Sequence, residues 1–198
     1  MILNRADLLY YLECDKIALK IPSEKRKPHL LDYIWKYEIL LRKAEFYNNI
    51  FLRGGGKGKI NTLLFKWYRF RQLCLGYKLS ISIGLNVFGP GLSIAHAGTI
   101  VVNNNARIGA NCRIHEGVTI GATNGKNESA IIGDNCFIGS GAKIIGSLKI
   151  ANNVAIGAGA VVVKDILEEG VAVAGVPAKV VSHNGSDNNI IKATELVS

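Results

Sequence analysis

The clearest pattern in the chain is a six-residue spacing of aliphatic side chains through its second half. Counting in sixes finds Ile or Val at Val102, Ile108, Ile114, Ile120, Ile132, Ile138, Ile144, Ile150, Ile156 and Val162. Lys126 interrupts the series, inside the polar stretch 123–129. An α-helix would place every sixth residue on a different face, and a plain strand would bury every second one. The spacing therefore predicts short strands separated by turns, three to a triangular coil, with the large aliphatic side chain pointing inward.

Two other positions of the six-residue unit also have a constant character. Four residues after the aliphatic comes a small or apolar side chain, as in Ala106, Cys112, Val118, Cys136, Ala142, Leu148, Val154 and Ala160. The residue after the aliphatic is often glycine, as at Gly109, Gly121, Gly133, Gly139 and Gly157. Small residues fit tight corners, and glycine permits the turn. At 18 residues a coil we expect roughly five coils, with strands ~4.8 Å apart. Ile94 and Ile100 continue the series upstream, displaced by two residues.

The first 80 residues follow a helical pattern instead. Apolar residues at mixed three- and four-residue spacing predict helices over 7–19, 30–47 and 60–76. In the second helix the apolar stripe is Ile34, Tyr37, Leu41, Ala44 and Tyr47, with Lys36, Lys43 and Glu45 expected outside it. The run GGGKGK at 54–59 predicts a flexible break.

Charge changes at the same point in the chain. Residues 1–80 contain 16 Lys and Arg against 7 Asp and Glu, whereas residues 81–198 contain 8 of each. We predict an N-terminal helical segment (1–80), a β-helical domain (81–181) and a polar C-terminal tail (182–198). The basic segment is either a solubilising face or a contact for an anionic membrane surface or a pyrophosphate-linked carrier. No recognised nucleic-acid motif accompanies it, so no nucleic-acid partner is expected.

The cysteines indicate the compartment. Cys14, Cys74, Cys112 and Cys136 form no CxxC pair, so the sequence predicts neither a zinc site nor a redox motif. Cys112 and Cys136 fall at the small inward position of the repeat, where we expect buried thiols and not nucleophiles. The first fifteen residues carry charge throughout and have no clean apolar run. We therefore expect a cytoplasmic, metal-free protein.

Two of the four histidines fall inside the repeat. His96 lies two residues after the inward Ile94, and His115 lies one residue after the inward Ile114. Those two isoleucines are 20 residues apart, one coil plus the two-residue displacement, so both imidazoles should point outward on adjacent rungs of one face. The pair is either a site or two solvent-exposed histidines. His29 and His183 lie in polar surroundings and are expected at the surface.

Several segments carry a resemblance to a known family. FGPGLSIAHAGTIVV (88–102), GVTIGATNGKN (117–127), IGSGAKI (138–144) and AGVPAKVV (174–181) resemble the serine O-acetyltransferases among the hexapeptide-repeat acyltransferases. The resemblance implies a mainly β protein, a left-handed parallel β-helix, packed as a homotrimer, with acetyl-CoA as co-substrate. It aligns His96 with the catalytic base of that family. The acetyl-CoA groove would involve Ala122, Thr123, Ser140, Gly141 and Ala158, with Lys164 and Lys179 near the phosphates.

The chemistry expected of His96 is removal of a proton from an acceptor hydroxyl. A neutral imidazole, whose ordinary pKa is about 6.5, can accept that proton at physiological pH. Because a thioester already has a good leaving group, no covalent acyl-enzyme is needed. Backbone N–H groups in the glycine-rich turns are candidates for stabilising the oxyanion.

The acceptor is predicted from departures from the serine enzymes. Ala95 and Ile81 stand where that family has Asp, and Glu128-Ser129 stands where it has an Arg-His pair. A related branch found in cell-surface polysaccharide biosynthesis is resembled over nearly the whole chain, in YYLECDKIAL (10–19), DYIWKYEILLRKAEFY (32–47), FGPGLSIAHAGTIVVN (88–103) and ARIGANCRIHEGVTIGA (106–122). This resemblance favours a sugar hydroxyl as acceptor. His115 and Glu116 would then line the acceptor pocket, with Glu116 orienting an imidazole. The alternatives are serine O-acetylation and a non-catalytic β-helix scaffold.

Overall fold

The computed structural model describes residues 1–54, 58–123 and 128–197. Three helices come first: α1 (Arg5–Ala18), α2 (Tyr33–Arg53) and α3 (Lys59–Leu79). Short strands follow: β1 (Ile81–Ser82), β2 (Ser93–Ile94), β3 (Ile100–Val102), β4 (Arg107–Ile108), β5 (Arg113–Ile114), β6 (Thr119–Gly121), β7 (Ile131–Ile132), β8 (Phe137–Ile138), β9 (Lys143–Ile145), β10 (Lys149–Ile150), β11 (Ala155–Ile156), β12 (Val161–Val162), β13 (Ala172–Ala174) and β14 (Lys179–Ser182). A short 3-10 helix spans Ala193–Glu195.

The strands form the three faces of a prism. The first sheet has the order β1-β3-β6-β9-β12, the second β4-β7-β10, and the third β2-β5-β8-β11-β13-β14. Every pair is parallel except β13 with β14. Single bridges from Phe88 to Ile108 and from Ile150 to Ile166 extend the second face at both ends. The five rungs of the first sheet agree with the number of coils expected from the repeat.

The aliphatic series forms the core of the prism. All ten residues of the series are buried, together with the small residues that follow them at the corners. Cys112 and Cys136 are among those corner residues, as expected. Burial raises the pKa of the Cys112 thiol, and it raises the pKa of Cys136 to about 12. Both side chains therefore stay protonated and serve as small apolar groups.

One corner of the prism is built from asparagines that the six-residue spacing did not single out. Asn111, Asn135 and Asn153 each adopt a left-handed backbone conformation, with φ of 55°, 56° and 58°. Asparagine tolerates this conformation better than most residues other than glycine. Their amides also join in a ladder, from Asn111 to Asn135 at 2.8 Å and from Asn135 to Asn153 at 3.1 Å. The ladder fixes the stacking of successive coils at this corner.

Charged side chains from the helices cover the open end of the β-helix. Arg42 on α2 donates to Asp15 at 2.7 Å and to the Phe88 carbonyl at 2.9 Å. Asp15 accepts from the backbone N–H groups of Gly91 and Leu92, each at 2.9 Å. These contacts satisfy backbone groups of the first coil, which has no further rung to pair with.

Glu38 and Glu45 extend this cover along α2. Glu38 accepts from the Ile94 N–H at 3.0 Å, and Glu45 accepts from the Asn86 N–H at 2.8 Å while pairing with Arg42. The expectation that Glu45 lies outside the helix stripe is therefore wrong: it is buried because the first coil and Arg42 supply its partners. Burial and the nearby Asp15 raise the pKa of Glu38 well above its usual range.

The three predicted helices are confirmed, with different boundaries. The first begins and ends earlier than predicted, at Arg5 and Ala18, whereas the second and third end later. The second helix begins at Tyr33 and continues to Arg53, and the third ends at Leu79, where Ser80 adopts a left-handed conformation. The glycine-rich break expected at 54–59 lies partly outside the described residues, and Lys126, which interrupts the aliphatic series, also lies outside them. Among the helices of the described ranges, none combines the length and the apolar character required to cross a membrane.

The C-terminal residues, predicted as a polar tail over 182–198, pack on the rest of the protein. Thr194 exchanges hydrogen bonds with Asn111, at 2.7 and 3.1 Å, and the Ser186 hydroxyl donates to the Asn135 carbonyl. Ala193 is buried against Cys14 and Ala18 of α1. The segment therefore joins α1 to the asparagine corner of the β-helix.

Candidate active site

His96 and His115 lie together at one corner of the prism, where the third sheet passes into the first. Ile94 pairs with Ile114 in adjacent rungs, so the residues that follow them emerge side by side. The imidazole centroids are 5.8 Å apart, with the rings at 73° to each other. The expectation of two outward histidines on neighbouring rungs is confirmed. His29 and His183 are exposed, as predicted, and His183 pairs with Glu168 at 3.0 Å.

The corner that contains His96 is two residues longer than the one below it. Val102 pairs with Ile120 and Ile94 with Ile114, so eight residues separate the inward pair on the upper rung and six on the lower. This is the displacement seen in the repeat. The additional length makes His96 exposed, whereas His115 is partly covered and contacts the ring of Phe137 at 5.2 Å.

Glu116 completes the cluster. Its Oε2 lies 3.7 Å from His115 Nδ1, and its Oε1 accepts from the Ser140 hydroxyl at 2.5 Å. Within the described residues, Oε2 is buried and has no hydrogen-bond partner. A carboxylate held in this way has one oxygen free to accept a proton donor, such as an imidazole N–H, after a small approach.

The electrostatics of the cluster favour a neutral imidazole beside a charged carboxylate. Burial lowers the pKa of His115, and the Arg113 guanidinium lowers it further, against the opposite effect of Glu116. The hydrogen bond from Ser140 lowers the pKa of Glu116. At neutral pH His115 is therefore uncharged and Glu116 is ionised.

A column of glycines descends from the histidines along the same corner. Gly117 and Gly141 have φ of 77° and 72°, and Gly159 on the next coil has φ of 67°. A Cβ on Gly117 would meet the Gly141 backbone at 3.1 Å. Gly141 N–H donates to the Glu116 carbonyl at 2.9 Å, and Gly159 N–H donates to the Ser140 carbonyl at 2.8 Å. The corner is thus a smooth, side-chain-poor edge beneath the two imidazoles.

The residues predicted to bind acetyl-CoA are divided between two corners of the prism, at the two ends of the strands of the first sheet. Ser140, Gly141 and Ala158 lie on the glycine column below the histidines. Ala122, Thr123 and Lys164 follow β6 and β12, at the corner where the first sheet passes into the second. Lys179 begins β14, the last strand of the third sheet. The structure therefore brings His96, His115, Glu116, Ser140 and Gly141 together, and it leaves the two lysines exposed and apart from them.

Three neighbours of the cluster were not predicted from the sequence. Lys143 donates to the Gly117 carbonyl at 2.6 Å and to the Thr119 hydroxyl at 3.0 Å. Arg113 and Phe137 flank His115 on the outer face of the third sheet. Each stands just before an inward aliphatic, so the period alone marks them as outward but not as part of a site.

The cluster also has a set of atoms suited to a metal ion. One ligand atom from each of His96, His115 and Glu116 lies within 4.8 Å of the other two. Two imidazoles and one carboxylate are a donor set that transition metals accept. The sequence predicts a metal-free protein, and EDTA in the functional assay tests that prediction.

Two hexapeptide-repeat families match parts of the β-helix. "Bacterial transferase hexapeptide (six repeats)" matches residues 129–164, and "Hexapeptide repeat of succinyl-transferase" matches residues 99–122. Serine acetyltransferase from Synechococcus elongatus is 37% identical over 100 residues, covering 49% of this chain and 40% of that protein. The Mycobacterium tuberculosis protein of the same name is 38% identical over 100 residues, covering 50% and 43%. The chain thus spans less than half the length of these relatives.

Solved structures match over a wider range. Serine acetyltransferase from Brucella abortus superimposes with a TM-score of 0.70 at 24% identity, covering 91% of this chain and 71% of that one. The Neisseria gonorrhoeae enzyme gives 0.67 at 26% identity, covering 92% and 69%. The predicted left-handed β-helix and the N-terminal helical segment are confirmed. The chain therefore contains hexapeptide repeats folded as a left-handed parallel β-helix, and about half of it is similar in sequence to serine acetyltransferases.

Proposed function

We propose that this chain is an acetyl-CoA-dependent O-acetyltransferase in which His96 acts as general base. The observation that carries the proposal is the exposed His96 imidazole, above the glycine column of a hexapeptide-repeat β-helix. Its ring centroid lies 5.8 Å from that of His115. The relatives similar in sequence are serine acetyltransferases, and one of the similar solved structures is a serine acetyltransferase in complex with coenzyme A.

The proposed reaction is a direct transfer. His96 takes the proton from the acceptor hydroxyl as its oxygen attacks the thioester carbon. The C–S bond then breaks, and the proton returns to the departing sulfur. A positioned base of this kind contributes roughly 10²–10⁴ in rate. The inward, protonated Cys112 and Cys136 are unsuited to a covalent route, which supports transfer without an acyl-enzyme.

Glu116 and His115 have supporting roles in this proposal. The free Oε2 of Glu116 can accept an N–H from an imidazole and fix which nitrogen stays basic. His115, kept neutral by burial and by Arg113, borders the position of the acceptor and is available to donate or accept a hydrogen bond there. Both are therefore proposed as acceptor-side residues.

Serine is the acceptor best supported by the comparisons, which favour it over the sugar hydroxyl that the sequence departures suggested. The departures are real in the structure. Ala95 offers no charged side chain beside His96, Ile81 is buried in the core, and Ser129 is buried next to the exposed Glu128. A sugar hydroxyl stays the second candidate on that ground.

The test is release of free thiol from acetyl-CoA by the purified chain, with serine or a panel of sugars and nucleotide sugars. We expect acceptor-dependent release that survives EDTA, because the proposed base is an imidazole and not a metal-bound water. Loss of activity in EDTA would contradict the imidazole base and indicate a metal ion bound by His96, His115 and Glu116. Absence of acetyl-CoA binding in calorimetry would favour a scaffold.

Assembly and surface contacts also stay proposals. A homotrimer would cover the outer sheet faces, where Val101 and Val163 are exposed, and light scattering against the chain mass of 21.4 kDa tests it. Between the helices, a groove of about 750 Å³ combines basic residues with Trp35, Trp67 and Tyr68. Cosedimentation with anionic and with neutral vesicles tests the predicted membrane-surface contact of this basic segment.

A further inference from the structure

A cleft adjoins the histidine cluster beside His115. It has a volume of about 300 Å³ and lies between the outer face of the third sheet, the end of α1 and the C-terminal segment. Its walls include Arg113, His115 and Phe137 from the sheet, Lys20 beyond α1, and residues 188–191. His115 therefore belongs to both the cluster and the cleft.

The wall formed by the C-terminal segment is fixed in place. On one side of residues 188–191, the Ser186 hydroxyl donates to the Asn135 carbonyl. On the other side, Ala193 is buried against α1 and Thr194 exchanges hydrogen bonds with Asn111. Anchors on both sides of this short stretch hold it over the sheet, so the cleft is part of the folded protein.

The charge of the cleft is positive. Lys20 and Arg113 contribute the charged side chains among the described residues that line it, together with the amides of Asn188 and Asn189. Arg113 is held by one hydrogen bond, from Nη1 to the Ser93 hydroxyl at 2.7 Å. Within the described residues its remaining guanidinium N–H groups have no hydrogen-bond partner. A fixed guanidinium with free donors is suited to a carboxylate or phosphate.

We propose that this cleft is an acceptor subsite that binds an anionic group, a carboxylate or a phosphate, through Arg113 and Lys20. The inference rests on the proposed O-acetyltransferase function and names the class of acceptor. An acceptor anchored here by its anion extends its hydroxyl past His115 toward His96. An amino acid or an acidic or phosphorylated sugar satisfies this requirement, whereas a neutral sugar leaves the two cations without a partner. Arg113 thus supplies a cation that the Glu128-Ser129 stretch does not.

The first experiment needs no turnover. The imidazole proton signals of His115 are followed by NMR during titration with inorganic phosphate, in the full chain and in Arg113→Gln. We expect phosphate to shift the His115 signals, and Arg113→Gln to raise the dissociation constant at least about tenfold, since hydrogen bonds to charged groups contribute ~1.5–3 kcal/mol. Arg107→Gln is the matched control, because Arg107 occupies the same position before the inward Ile108 on β4, away from the cleft. Lys20→Gln, at an exposed position, provides a second variant that keeps the fold.

Equal phosphate affinity in the wild type, Arg113→Gln and Lys20→Gln would overturn the subsite, whatever the activity of the chain. Phosphate binding lost in both variants without any acetyl transfer would uphold the subsite and reject the proposed function. A kinetic arm separates the two sources of anion. For Arg113→Gln and Lys20→Gln, the acceptor subsite predicts a KM for the anionic acceptor above that of the wild type and an unchanged KM for acetyl-CoA. A raised KM for acetyl-CoA alone would assign the cations to the phosphates of coenzyme A and overturn the acceptor subsite.

Discussion

The Ser140 hydroxyl donates to Glu116 Oε1 at 2.5 Å, across two adjacent coils of the β-helix. Ser140 was predicted on the acetyl-CoA side of the site and Glu116 on the acceptor side. Their contact places both residues in one hydrogen-bonded corner. It also leaves the second oxygen of Glu116 directed toward His115, at 3.7 Å from Nδ1. The orientation of the carboxylate therefore depends on a residue from the next coil.

Replacing Ser140 by alanine should release this carboxylate. We expect kcat for acetyl transfer to fall about three- to tenfold, the equivalent of one net hydrogen bond of ~0.5–1.5 kcal/mol. The pKa of Glu116 should rise, because the bond from Ser140 is the main cause of its lowering. Steady-state kinetics measures the first effect, with Ser147→Ala, at an exposed position, as control. An unchanged kcat in Ser140→Ala would show that the orientation of Glu116 by Ser140 does not contribute to catalysis.

The titration of His115 provides a test by NMR. Burial and Arg113 lower its pKa, so its midpoint should lie below the ordinary value of about 6.5. Arg113→Gln should raise the midpoint and Glu116→Gln should lower it, because the first removes a repelling cation and the second an attracting anion. A lowered pKa in the folded state means that the unfolded chain takes the proton more readily. The associated stability is present above about pH 6.5 and is lost as the pH falls.

The buried ion-pair network at the end of the β-helix predicts a large effect on stability. Arg42→Met leaves Asp15 and Glu45 buried without their cation, which typically costs ~3–5 kcal/mol in the free energy of unfolding. Urea denaturation of this variant and of Arg53→Met, an exposed arginine on the same helix, measures it. A loss in Arg42→Met no greater than that in Arg53→Met would show that the helices cover the first coil without depending on the network.

Neighbouring isoleucines in one strand test the inward and outward alternation of the coil. Ile132 is 2% exposed and Ile131 is 55% exposed, although both lie in β7. Ile132→Ala should destabilise the protein by ~2–5 kcal/mol through lost burial and a cavity. Ile131→Ala should change stability by less than about 0.5 kcal/mol in the monomer. Similar losses in both variants would mean that the outer face is also buried, as it would be in an oligomer.

The β-helix was predictable because its signal is repeated. Each coil must bury the same aliphatic and turn at the same small residue, so a spacing of six recurs and errors at single positions cancel. The same periodicity located His96 and His115, since an outward residue beside a known inward one has a defined direction. The two-residue displacement near Thr99 also survived into the structure as a longer corner.

What the sequence concealed depends on contacts between distant segments. Glu45 has a helical position that suggests solvent, and only the approach of the first coil, whose Asn86 N–H donates to it, shows why it is buried. The C-terminal residues are polar in composition, yet Thr194 and Ala193 attach them to the asparagine corner and to α1. The cleft beside His115 arises from that attachment, so no local pattern could reveal it.

The most direct test of the central claim is the rate of thiol release from acetyl-CoA by His96→Gln, compared with His183→Gln, in the presence of the active acceptor. Both histidines are exposed, so neither change should alter the melting temperature. The account predicts that His96→Gln loses about 10²–10⁴ in kcat while His183→Gln keeps the wild-type rate. A His96→Gln protein that transfers acetyl groups at the wild-type rate would contradict the assignment of His96 as the base.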